Sequence, residues 1–240
     1  MQTQIKIDNI TKTFLTANGK LTALDNISLE ISESELVVVG GENGSGKSVL
    51  MSIIAGLETC DSGSVQSPLV GFVFQEAETQ ILGETPAEDI AFGPKNLGLK
   101  KEEIEFAVKN ALEKTGLTSK ADFPARFLSG GEKRRLAVAC MLAMNLPVII
   151  LDEPYANLDY SGVKQVNNLI RELKADGKTV IILTHEIEKC LGLADRFIVL
   201  FRGKKVFDGT PEQGLEKDLE QWNIKNPISA YKTLEDLLWQ

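Results

Sequence analysis

The chain is 240 residues long, with 43% apolar and 25% charged side chains. That is a globular composition, able to bury a sizeable core and opposed to disorder, and the length predicts one large domain or one domain carrying an inserted subdomain. The formal net charge of −8 argues against a nucleic-acid partner, whose phosphates are met by Lys and Arg clusters.

The longest apolar runs, such as Val148–Leu151 and Phe197–Phe201, fall well short of the roughly 18–20 residues that span a bilayer. Met1–Gln4 has neither a basic start nor an apolar signal core. Cys60, Cys140 and Cys190 form no disulfide or metal pattern, as suits a reducing cytosol.

In chain order, Gln4–Ile10 and Ile27–Ile31 read as antiparallel strands joined by a polar turn around Asn18-Gly19-Lys20. Leu36–Val39, Val70–Phe74, Val148–Leu151 and Val180–Leu183 are β-branched, nearly continuous apolar runs, the pattern of strands covered on both faces. Helical patterns lie between them: Val49–Ala55, then Ile104, Val108, Ala111 and Leu112 within Lys101–Thr115, then Lys133–Asn145, then Val163, Val166, Leu169, Ile170 and Leu173. Strands alternating with helices predict an α/β fold with a parallel sheet. Residues 76–128 hold no convincing strand and carry breakers at Gly83, Pro86, Gly93, Pro94, Gly98, Gly116 and Pro124. This predicts a helical subdomain inserted into a core formed by 1–75 and 129–212. Residues 213–240 read as a short helical extension with both tryptophans, Trp222 and Trp239, and a stripe of Ile228, Tyr231, Leu234, Leu237 and Leu238 after Pro227.

Gly41-Glu42-Asn43-Gly44-Ser45-Gly46-Lys47-Ser48 lies between a predicted strand and a helix that begins near Val49. This is the G-x-x-x-x-G-K-[ST] phosphate loop in its required context. Its glycines let backbone N–H groups wrap an anion, and the helix behind adds the positive end of its dipole. Lys47 supplies charge for the β- and γ-phosphates, and the Ser48 hydroxyl can ligate Mg²⁺. Asp152-Glu153-Pro154 follows another buried strand, at the sheet edge where open α/β folds bind ligands. Asp152 is placed to organise the metal and Glu153 to polarise an attacking water. Leu128-Ser129-Gly130-Gly131-Glu132 contains an S-x-x-E capping box, but a cap does not require two glycines. They bare the backbone N–H groups of a helix start and make a second anion site. Two such helix ends with one lysine loop suit a head-to-tail pair of chains.

At these residues the sequence resembles the ATP-binding-cassette (ABC) ATPases, over nearly the whole chain to about residue 212. The resemblance implies a P-loop NTPase (RecA-like) core, an N-terminal antiparallel β-subdomain, an inserted α-helical subdomain, and a dimer with ATP and Mg²⁺ sandwiched between cassettes. Leu128–Glu132 looks like the family's signature motif, so Ser129 and Gly131 would contact the γ-phosphate held by the other subunit. Gln75 matches the Q-loop glutamine, a ligand of Mg²⁺ and water. Asn157-Leu158-Asp159 matches the D-loop, with Asp159 reaching across the dimer. His185, the only histidine, matches the switch histidine that bonds the γ-phosphate and the attacking water. Phe14 stands where an aromatic stacks on adenine, with Phe in place of the common Tyr. Ser34-Glu35 replaces a frequent Gly-Glu, and Val49 replaces a frequent Thr after the loop; neither removes a ligand. The strand ends before Gly41, Gln75, Asp152-Glu153 and His185 are therefore expected on one sheet edge.

Residues Phe74–Leu82 and Glu88–Leu99 are similar to the ATPases of energy-coupling-factor (ECF) importers and their cobalt and nickel relatives. That similarity implies a peripheral subunit at the cytoplasmic face of the membrane, paired with a second ABC ATPase of the same or a sister chain. An arginine-bearing helix of an integral membrane subunit would dock near residues 76–95, where Glu76, Glu78, Glu84, Glu88 and Asp89 accompany one basic residue, Lys95. The alternatives are an ATPase of another ABC transporter subfamily, a soluble ABC ATPase acting on nucleic acid or the ribosome, and a non-hydrolytic nucleotide-binding module. The soluble type is opposed by the acidic charge, the single cassette and the lack of a long heptad run. The non-hydrolytic module is opposed by Glu153 and His185.

Overall fold

In the computed structural model, which describes residues 2–17 and 19–228, the long polar-edged strands of the N-terminal region fold first on themselves. Strands β1 (Thr3–Thr16) and β2 (Gly19–Ser32) form an antiparallel pair. They extend well beyond the predicted apolar cores of Gln4–Ile10 and Ile27–Ile31. Ile5, Ile7 and Ile10 of β1 and Leu24, Ile27, Leu29 and Ile31 of β2 are buried. The pleat puts alternate residues on opposite faces, and register shifts around Ile10 adjust that alternation. Asn18 of the expected turn lies outside the described residues.

Strand β3 (Leu36–Gly40) then enters a second sheet, followed by helix α1 (Lys47–Ile54). A short strand, β4 (Ser62–Gln66), returns to pair with β1, giving the order β2-β1-β4. Next come β5 (Val70–Val73) and three helices, α2 (Pro86–Asn96), α3 (Lys101–Lys114) and α4 (Gly130–Ala143). The chain continues through β6 (Val148–Asp152), α5 (Tyr160–Ala175), β7 (Thr179–Thr184), β8 (Arg196–Phe201), β9 (Lys204–Gly209) and α6 (Pro211–Leu215). The second sheet has the order β5-β6-β7-β3-β8-β9. Neighbours are parallel except β9, which is antiparallel to β8.

The central strands are buried on both faces, as continuous apolar runs require. One face, with Val37, Val39, Ile150 and Ile181, packs against the first sheet and α1. The other, with Val38, Ile149, Leu151 and Ile182, packs against α4 and α5. A third cluster joins Ile90 of α2, Ala111 and Leu112 of α3, and Leu136, Ala139 and Ala143 of α4. Helix α4 is thus apolar on two sides, one turned to the sheet and one to the helices between β5 and β6. Helix α2 runs through Gly93-Pro94, which sequence reasoning treats as breakers. A Cβ on Gly93 would sit 2.5 Å from Met144 Sδ, so glycine there lets the two segments close.

Of the expected C-terminal extension, Leu215, Leu219, Trp222 and Ile224 pack against the core on one face of the sheet, whereas Ile228 of the predicted stripe is exposed. Leu219 and Ile224 belong to the same core cluster as Phe197 and Val199, and the Trp222 ring centroid is 6.4 Å from that of Phe207. Tyr231, Leu234, Leu237, Leu238 and Trp239 lie outside the described residues.

Candidate active site

Because β5, β6, β7 and β3 run parallel, their carboxyl ends share one edge. At the end of β3 the chain turns through Gly41, φ +149°, where a Cβ would lie 2.3 Å from the Leu200 carbonyl oxygen. Gly46, φ +102°, begins α1, and a Cβ there would lie 2.5 Å from the Ala23 carbonyl oxygen. Only glycine fits such backbone. Lys47 is 5% exposed, and its ammonium donates to the carbonyls of Gly41 (2.7 Å) and Glu42 (3.0 Å), closing the loop into a cradle. Burial draws its pKa down, against the opposing pull of Glu153, Asp152 and Glu42. Ser45 is buried, and its Oγ has no hydrogen-bond partner among the described residues. A buried unpaired hydroxyl is uncommon and fits a loop shaped for a ligand oxygen.

Asp152 ends β6, buried; burial raises its pKa, against the opposing effects of the Ser48 hydroxyl and Lys47. Glu153 follows with φ +46°, left-handed for a non-glycine residue, a backbone conformation that costs energy. Its carboxylate accepts from Thr184 Oγ1 (2.9 Å) and from the His185 backbone N–H (3.1 Å), and lies 2.9 Å from His185 Nδ1. The end of β7 thus holds the end of β6. Gln75 is exposed two residues past β5. Its segment is pinned by Gln80, which accepts from Phe74 N–H (2.8 Å) and donates to the Phe72 carbonyl (2.7 Å).

A cavity of about 440 Å³ brings together Phe14, Lys47, Ser48, Gln75, Asp152 and Glu153. Asn43, Gly44, Gly46 and Val49 also line it. Phe14 is half-buried rather than in the core, with Lys12 Nζ 5.1 Å from its ring centroid. Arg202 lines the same cavity and was not singled out from sequence, because it arrives from the β8–β9 turn with no motif to mark it.

Ser129, Gly130, Gly131 and Asp159 are not in this cavity. They line a second one, of about 730 Å³, which shares Gln75 with the first. Ser129 caps α4 in a reciprocal box with Glu132. Nothing stands within 4 Å of a Cβ placed on Gly130, so this helix start is open. The Asp159 carboxylate caps α5 by accepting from Gly162 N–H at 2.7 Å. The two groups of predicted site residues therefore line separate cavities that share Gln75.

The acidic segment differs from its charge count. Asp89 is 5% exposed. It accepts from the backbone N–H groups of Leu82 (2.7 Å) and Gly83 (2.8 Å), and Cys140 Sγ lies 3.3 Å from it. Asp89 is thus a structural carboxylate, not part of a docking face. Glu78 pairs with Lys133, which holds its carboxyl below the usual range. Glu76, Glu84 and Glu88 are exposed and, among the described residues, form no ion pair; the Glu88 carboxylate accepts from the Glu84 backbone N–H at 3.2 Å.

Comparison with known proteins agrees with this architecture. The family described as ABC transporter matches residues 24–156. The energy-coupling factor transporter ATP-binding protein EcfA of Methanocaldococcus jannaschii is 39% identical over 226 residues, covering 87% of this chain and 81% of that one. Among solved structures, CbiO1 from Clostridium perfringens, described as part of the ABC transporter complex CbiONQ, is 30% identical with a TM-score of 0.80, covering 95% of this chain and 97% of that one. An ATP-binding cassette solved as a dimer in a post-hydrolysis state, bound to ADP and Pi, is 29% identical with a TM-score of 0.78, covering 87% and 99%. With its phosphate loop, its paired carboxylates and its open helix start all set on this fold, the chain belongs to the ABC transporter family as one of its ATPases.

Proposed function

We propose that this chain is the ATP-hydrolysing motor subunit of an ECF-type importer, working as an ATP-sandwich dimer on the cytoplasmic face of the membrane and driving a separate integral membrane subunit. The observation that carries the ATPase part is the Glu153–His185 contact at 2.9 Å, at the sheet edge that also presents Lys47 and Ser48. Gly41, Glu42, Asn43, Gly44, Ser45, Gly46, Lys47, Ser48 and Val49 form the phosphate cradle, and Phe14 offers its face to the adenine. The Ser48 hydroxyl and the Asp152 carboxylate, which line the same cavity, make an oxygen pair of the kind Mg²⁺ takes, with the Gln75 side chain as a further oxygen donor. Among the described residues no cluster of three or more His, Cys, Asp or Glu side chains could hold a metal. This is compatible with Mg²⁺, which usually takes few protein ligands beside phosphate and water. When bound, the ion neutralises charge on the β- and γ-phosphates. Glu153 takes the proton of the water that attacks the γ-phosphorus as the bond to the β–γ bridging oxygen breaks and ADP leaves, and His185 orients that water and donates to a γ-phosphate oxygen. Ser129, Gly130, Gly131 and Asp159 complete the site of the partner cassette, in agreement with their separation from Lys47.

The membrane part is supported by the names of the relatives and by the exposed Glu76 and Glu84 in the segment that follows Gln75. No helix of the described residues is long and apolar enough to cross a membrane, so the transport path is assigned to other chains. The test is affinity purification of the tagged chain from its native membranes. Integral membrane proteins are expected to come along, and Glu76→Lys with Glu84→Lys is expected to release them while ATP binding persists. Recovery with ribosomes or nucleic acid instead would favour the soluble ABC ATPase reading.

A further inference from the structure

Arg134 lies on α4, five residues past Ser129, and reaches two loops that are far apart in sequence. Its Nη1 donates to the Ala156 carbonyl at 3.1 Å and its Nη2 to the Gln75 carbonyl at 3.4 Å. Ala156 lies between Glu153 and Asp159; Gln75 lies between β5 and the acidic segment. The guanidinium fork thus ties the helix that carries Ser129–Gly131 to the backbones of both loops. A rigid planar fork suits this role, since one group with several fixed donors can hold two acceptors at once. Its Nε is buried with no hydrogen-bond partner among the described residues. Such a side chain is a poor choice for stability alone, because an apolar residue would carry no unpaired donor.

Helix α4 is also the wall against which α2 packs, through Asp89 beside Cys140 and through Gly93 against Met144. A displacement of α2 therefore reaches Arg134 through one packed helix. We propose that Arg134 is a positioning residue that makes the start of α4, the Gln75 segment and the 153–159 segment move as one body. In this way it links the half-site that serves the partner cassette to the residues that act on the chain's own nucleotide. The proposal rests on the ATP-sandwich reading for its effect on turnover, but the mechanical tie stands on this chain alone.

The test uses Arg134→Met and Arg134→Lys in the full chain. For Arg134→Met, ATP affinity by calorimetry is expected to stay unchanged, because Arg134 does not line the cavity with Lys47. Its kcat is expected to fall about tenfold, the size typical of a lost coupling contact. Hydrogen exchange of the nucleotide-free protein is expected to quicken in both the 74–80 and the 155–159 segments. Arg134→Lys keeps the charge but not the fork, so it restores part of kcat. An unaltered kcat, quickened exchange in only one segment, or weakened ATP binding with a lowered Tm would each overturn the proposal. The last outcome would mark a merely structural arginine. If Glu153→Gln proved fully active, the ATPase roles would fail while the exchange result still decided the tie.

Discussion

Replacing Glu153 by glutamine separates chemistry from shape. The carboxylate is 4% exposed and accepts from both Thr184 Oγ1 and the His185 N–H. A glutamine can keep its oxygen toward His185 and turn its NH₂ toward Thr184. The Thr184 hydroxyl already accepts from Glu186 N–H at 2.9 Å. It can accept a second bond, but its own proton then loses its acceptor. One such lost hydrogen bond costs about 1 kcal/mol, or roughly 2–4 °C in Tm for a chain of this size. The loss of a general base is larger, at about 10²- to 10⁴-fold in rate, equivalent to roughly 3–5 kcal/mol. The variant is therefore expected to stay folded, bind ATP and hydrolyse almost none. Phosphate release measures turnover, and size-exclusion chromatography with ATP is expected to reveal a trapped dimer. Turnover within threefold of the wild type would refute the assignment, because no retained contact replaces the lost basicity.

Three further substitutions probe the phosphate loop and the start of α4. Lys47→Ala removes a buried ammonium and is expected to weaken ATP binding by about 10- to 100-fold, the worth of a charged hydrogen bond, as read by calorimetry. Gly46→Ala must adopt φ +102° with its Cβ 2.5 Å from the Ala23 carbonyl oxygen; it is expected to cost at least about 2 kcal/mol, seen as a fall in Tm together with lost ATP binding. Ser129→Arg is expected to bind ATP without turning it over. Mixed equally with Lys47→Ala chains, it leaves about a quarter of all sites intact if the chains pair at random, and phosphate release is expected to return accordingly.

What the sequence revealed depended on whether a residue's job was local. The strands β3, β5, β6 and β7 were legible because burial on both faces leaves unbroken apolar runs, and the phosphate loop because its spacing is set by one turn of backbone. Strand β4 was not, since Ser62–Gln66 is polar and mostly exposed and its pairing with β1 leaves no local pattern. Helix α2 was hidden by Gly93-Pro94, and the reason for the glycine is Met144, some fifty residues away. Asp89 was counted with the surface carboxylates because a charge count cannot show that Leu82 and Gly83 supply its backbone donors. Gln80, Arg134 and Arg202 carry no motif at all. Gln80 and Arg134 bond to main chain, and Arg202 reaches the cavity only by the folding of the β8–β9 turn.

The arrangement of the cores bears on how the two half-sites can communicate. The phosphate loop stands at the end of β3 and leads into α1, whose Leu50 and Met51 are held in the cluster between the two sheets. Ser129 and Gly131 stand on α4, whose Leu136, Ala139 and Ala143 belong to the cluster of helices between β5 and β6. Those clusters share no residue, so a shift of the helical cluster can move the helix start without disturbing the cradle around Lys47. Helix α4 is not free of the sheet, however, because Ala137 and Val138 face the cluster that contains Ile149 and Leu151. A close-packed interface has few intermediate arrangements, which favours a step between two packings over gradual bending. Gln75 lines both cavities, and the segment after it runs through Asp89 into α2. On the proposed Arg134 tie, load applied to the outer face of α2 arrives at α4, the Gln75 segment and the 153–159 segment together.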